Sequence, residues 1–123
     1  LSDIYQNHLD SLMVLEQRRQ AVYWAEQTTD TMLMADSYYY LSNMCEAVGD
    51  YKQSLSACDK AYEYYSVVGY RNGAARIWVQ RAKNYMALND LPYAKLCMKN
   101  YEAMTTDLDS SHRIKPGLNN EIY

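Results

Sequence analysis

Glycine and proline are scarce in this 123-residue chain, at four and two, and phenylalanine is absent, so Tyr and Trp supply all of the 13% aromatic content. With charge at an ordinary 22%, this is not the composition of a disordered segment. No run approaches the roughly 18 consecutive apolar residues of a membrane span, and mean hydropathy is -0.51. Clustered Lys and Arg are missing too. A net charge of -3 and a pI near 5.3 exclude sequence-independent binding to nucleic acid, which requires neutralised phosphates.

Chemistry is equally thin. The sequence has no glycine-rich phosphate loop, no H-E-x-x-H, no G-x-S-x-G and no EF-hand loop. Cys45, Cys58 and Cys97 are odd in number, lack CxxC spacing and have no histidine partner nearby, so they describe neither a zinc site nor a disulfide framework. They read as buried free thiols, and a Cys45–Cys58 bridge needs Cα atoms within about 7 Å. His8 and His112 sit near predicted helix ends or loops without convergent donors and read as solvated surface. No enzyme, metal site or cofactor is expected. The chain starts at Leu1 without the basic region, apolar run and cleavage site of a signal peptide, and it reads as a segment of a longer protein.

What is present is a repeat of 40 residues. Leu1, Ser2, Asp3, Ile4 and Tyr5 are followed in the same phase by Leu41, Ser42, Asn43, Met44 and Cys45, then by Arg81, Ala82, Lys83, Asn84 and Tyr85. Asp10, Asp50 and Asp90 share a register, as do Val14, Ser54 and Ala94, and Ala21 with Ala61. The three aspartates are expected to be repeated helix caps rather than acids of an active site. Each repeat reads as two helices. Leu33, Met34, Tyr38, Leu41, Ser42 and Cys45 fall at spacings of three and four, Gly49 breaks the run, and Asp50 with Gln53 makes a capping-box-like start. Leu55, Cys58, Ala61, Tyr62 and Tyr65 mark the second helix, which ends before Gly69.

The next repeat carries Ala75, Trp78, Ala82, Tyr85 and Met86, then Asn89, Asp90 and Pro92 at the start of a helix reaching about Thr105. This divides the chain into a partial repeat over 1–28, with Leu1–His8 ending one helix and Ser11–Gln27 forming another. Full repeats follow over 29–68 and 69–106. Asp107–Gly117 reads as a loop and Leu118–Tyr123 as the start of a further helix, giving about six helices in all. Tyr38, Leu41, Cys45, Cys58, Ala61, Trp78, Ala82, Tyr85 and Ala94 are the expected core.

These positions resemble the tetratricopeptide repeat, whose helices are marked by W-x2-L-G-x2-Y and A-x3-F. Tyr38, Leu41, Ser42 and Cys45, with Ser54, Cys58 and Ala61, stand at those spacings. So do Trp78, Arg81, Ala82 and Tyr85, with Ala94 and Met98. The first repeat contributes Leu1, Ser2 and Tyr5, then Val14, Arg18 and Ala21. The sequence departs from the pattern at Arg81, where leucine is usual, at Arg18, where an aromatic is usual, and in its longer period. The resemblance implies an all-α, right-handed superhelix of antiparallel helix hairpins. It also implies a protein- or peptide-binding scaffold segment of a larger regulatory or signalling protein. By the same resemblance a groove is lined by the stripe opposite the packing face of each first helix: Asp36, Tyr39, Asn43 and Glu46, then Arg76, Val79, Lys83 and Met86, with Asp3, Gln6 and Asn7 preceding. The carboxylate clamp of the chaperone-tail-binding members is not matched, since Asp3, Tyr40 and Gln80 occupy its positions. A solvated helix face, a structural spacer and a phosphatase-like regulator stay open as alternatives. The terminal helices, through Leu12, Leu15, Val22 and Trp24, are expected to lack full cover and to support homo-oligomerisation.

Overall fold

The computed structural model describes the backbone of residues 2–113 and the surroundings of side chains 6–106. Among the described residues it contains five α-helices and no strand: α1 (Ser2–Glu26), α2 (Thr31–Ala47), α3 (Tyr51–Val68), α4 (Arg71–Ala87) and α5 (Leu91–Arg113). Each helix packs on the one before and the one after, and α2 also touches α4. No other pair of described helices makes backbone contact.

Helix ends follow from single residues. Asp50 accepts from Gln53 N at 3.2 Å to open α3, and Asp90 accepts from Tyr93 N at 3.3 Å to open α5. The helices before them close on left-handed residues, Gly49 at φ 87° and Asn89 at φ 63°. Asp10, expected as a third cap, instead lies inside α1 and accepts from Gln6 Nε2 at 3.0 Å. The residue in the phase of Gly49 and Asn89 there is Leu9, for which a left-handed backbone is sterically costly, so nothing stops the helix and α1 runs unbroken. Asp30 is the cap that opens α2, accepting from Leu33 N at 3.0 Å. The expected loop from Asp107 is likewise corrected. Asp109 stands in the phase of Gly69, whose φ of 73° ends α3, and α5 continues to Arg113. Residues 114–117 of that expected loop and the helix start expected over Leu118–Tyr123 lie outside the described residues.

The centre of the packing is Ala35, Cys58, Ala61, Tyr65, Ala74 and Ile77, contributed by α2, α3 and α4. Of the expected core, Cys45, Cys58, Ala61, Ala82 and Ala94 are buried, whereas Tyr38, Leu41, Trp78 and Tyr85 are half-buried. Those four have large side chains at the margin of a seam built from small ones. Along that seam, Ser42 Oγ donates to Tyr39 O at 2.6 Å, Ser54 Oγ to Ser42 O at 2.7 Å, and Asn84 Nδ2 to Ser54 Oγ at 2.8 Å and Gln80 O at 3.1 Å. The seam thus ties α2 to α3 and α3 to α4 with buried hydroxyl and amide groups. All three cysteines are free and buried. Burial pushes the Cys58 thiol up to about 12, and raises the Cys45 and Cys97 thiols in the same direction.

Gly73 is the tightest point. A Cβ there would stand 2.6 Å from Tyr65 Cδ1 and 2.7 Å from Cε1, and the ring is fully buried. Helix propensity alone favours Gly73→Ala by about 1 kcal/mol, but overpacking against the ring costs about 1 to 3. Gly73→Ala is therefore expected to lower the urea midpoint, and a raised midpoint would show that Tyr65 can yield. A pH dependence follows from the thiols and from Tyr38 and Tyr65, whose phenols are raised first by burial and then by Glu26 and Asp36. Groups whose folded pKa lies above the unfolded value contribute their full stability below the unfolded pKa and lose it as pH rises. For Cys58 that window runs from the thiol's ordinary 9.0 to about 12. Urea midpoints should fall in this range, and stability that stays flat through it would contradict the assignment.

Candidate functional site

The contact between α2 and α4 brings the two sequence-derived stripes together. One turn apart on α2 stand Asp36, Tyr39, Asn43 and Glu46, all half-buried. On α4, Arg76, Lys83 and Met86 are exposed and Val79 is half-buried. The Arg76 guanidinium carbon lies 4.6 Å from the centre of the Tyr39 ring, a cation–π contact between the helices. Gln80 Nε2 donates to Glu46 Oε1 at 3.4 Å, and Tyr65 Oη donates to Asp36 Oδ1 at 2.5 Å. Asp36, Tyr39 and Glu46 therefore help hold α3 and α4 against α2, and are more than a solvated face. Asn43 and Lys83 carry no hydrogen bond or ion pair among the described residues. Of the two, Lys83 is exposed and Asn43 half-buried.

Other expected residues fall elsewhere. Gln6 and Asn7 are exposed on α1, which has no backbone contact with α4 and does not extend this face. The Asp3 side chain lies outside the described surroundings. Met86 is turned toward α5, where it lines a groove of about 410 Å³ with Leu91, Ala94 and Met98. The departures from the repeat pattern acquire reasons. Arg81 pairs with Asp59 at 2.9 Å and spreads over Trp78 and Tyr62, at 4.5 and 4.8 Å from the ring centres. Its stem and guanidinium pack across the two rings. Arg18 lies over Tyr40 at 5.4 Å, joining α1 to α2.

Leu15 and Val22, expected to lack cover, are buried by α2, while Leu12 and Trp24 are exposed. Sequence reasoning missed Gln80, which is buried beside Glu46, and the groove residues of α5. The α5 signal was available in the spacing of Leu91, Ala94 and Met98. Among the described residues, no group of three or more His, Cys, Asp or Glu is placed to hold a metal ion, and no helix is long and apolar enough to cross a membrane. No protein-family model matches the sequence, and neither does any curated protein or solved structure.

The Tyr65–Asp36 bond separates a structural from a purely surface role for Asp36. Asp36→Ala removes the acceptor of a buried phenol and is expected to cost about 1 to 3 kcal/mol. Tyr65→Phe should make the second substitution nearly silent, which a double-mutant cycle in urea measures. Strict additivity of the two would show that the bond contributes nothing.

Proposed function

We propose that this chain is a protein-interaction module of the tetratricopeptide-repeat kind, its helix hairpins stacked in a superhelix, and that its α2–α4 face receives an extended peptide or helix of a partner protein. In this reading the segment serves a larger regulatory or signalling protein and has no catalytic chemistry of its own. The observation that supports it is the contact of α2 with α4, made by Arg76 over Tyr39, on helices whose stripes also carry half-buried Asn43 and Val79 and exposed Lys83. Such a face offers an amide, an ammonium group and an apolar side chain to a chain laid along it, a combination suited to backbone recognition with one carboxylate contact. The 40-residue phase of Cys45 with Tyr85, and of Ser54 with Ala94, supports the repeat assignment independently.

A peptide array probed with the intact chain tests this. Peptides that bind should contain a carboxylate, and Lys83→Glu should weaken them by about tenfold, the loss of one charge-assisted hydrogen bond. Lys83 is exposed, so its unfolding midpoint should stay within about 0.5 kcal/mol of wild type. Binding that survives Lys83→Glu unchanged would place the ligand on another face.

A further inference from the structure

Two surfaces outside the α2–α4 face leave apolar side chains exposed. On one, Met86, Leu91 and Met98 are 60%, 51% and 37% exposed around Ala94, with Lys95, Lys99 and Glu102 at the rim of the same groove. On the other, Leu9, Leu12 and Met13 are 39%, 41% and 62% exposed along α1, followed by exposed Glu16. This stripe lies on the side of α1 away from Leu15, Val22 and Ala25, which α2 buries.

The molecule itself shows what the groove is shaped to take. Forty residues before Met86, Ala94 and Met98 stand Glu46, Ser54 and Cys58, and all three face α4. Glu46 accepts from Gln80, Ser54 accepts from Asn84, and Cys58 packs with Ala74 and Ile77. The counterpart of Lys99 is Asp59, which pairs with Arg81 of α4. So α4 meets the earlier surface with Gln80 and Asn84 and with Ala74, Ile77, Trp78 and Arg81, the last four at spacings of three, four and seven. On α1, Leu9, Leu12, Met13 and Glu16 reproduce those spacings with larger apolar groups, and with the charge at the last position reversed. The groove is reversed to match, from Asp59 to Lys99, and its polar Glu46 and Ser54 become Met86 and Ala94. No ion pair among the described residues involves Lys95, Lys99 or Glu16.

We propose that the outer face of α1 from one copy of this chain docks in the α4–α5 groove of a second copy, head to tail, with Glu16 meeting Lys99. The two faces differ, so the contact is heterologous and each copy keeps one free face for the next. This surface is distinct from the one proposed for the partner peptide, and the two readings stand or fall separately.

Light scattering over a range of concentrations tests it with the full chain. The wild-type mass should rise above the 14.3 kDa of a single copy. Leu12→Lys, which spoils only the α1 face, and Met98→Glu, which spoils only the groove, should each hold the mass of one copy. An equimolar mixture of these two variants should form a dimer and nothing larger, because one intact face of each kind remains. Glu16→Lys and Lys99→Glu, both at exposed positions, should each weaken association by several-fold, and a chain carrying both should recover it. A wild-type mass constant at one copy overturns the proposal, as does continued assembly of either single-face variant or a mixture that stays monomeric.

Discussion

The rest of the structure depends on a narrow seam where α2, α3 and α4 approach one another over Ser42, Cys45, Ser54, Cys58, Ala61 and Asn84. Only small side chains let the helices come this close, and the serine hydroxyls and the asparagine amide then link them in one hydrogen-bonded path. Buried polar groups of this kind fix register, because sliding a helix by one residue strands each donor in an apolar environment. Ile77 and Tyr65 supply the larger apolar burial beside the seam, on the order of 1.5 to 3 kcal/mol for such a side chain.

Once the seam sets the spacing, the polar stripes of α2 and α4 have no freedom to be wholly solvated. Asp36, Tyr39 and Glu46 are drawn into contact with Tyr65, Arg76 and Gln80, and the open polar groups that remain are few. A face partly consumed by internal contacts is better ordered than a free one, since those contacts hold its side chains in position. The same spacing governs Gly73, which brings the α4 backbone against the Tyr65 ring where any larger residue meets its carbons.

Periodicity and capping made the helices legible. Spacings of three and four, with Gly49, Asn89, Asp50 and Asp90 at the expected phase, placed α2, α3, α4 and the start of α5 close to where they lie. The reading failed at Asp10 and Asp107 for one reason. A phase relation transfers an aspartate along the chain but not the left-handed residue that closes α2, α3 and α4, and Leu9 and Asp109, in the place of Asn89 and Gly69, lie inside continuous helices. The α2 and α4 stripes were legible as faces. Which of their members are committed to packing was not, because Asp36 finds its partner in Tyr65, 29 residues away.

By itself, then, the sequence determined the helical class, the caps that work and the apolar stripes, since each is a local relation between residues within a few turns. Tertiary structure alone decided that Tyr38, Trp78 and Tyr85 sit at the rim while Tyr65 shares the centre with serine, cysteine and alanine. It decided that Arg81 packs over Trp78 and Tyr62 instead of pointing to water, and that Met86 belongs to the α4–α5 groove and not to the α2–α4 face. Periodicity says which side of a helix is apolar, but the distance between two helix axes is set by whichever side chains meet at their crossing. That is a property of pairs of residues far apart in the chain.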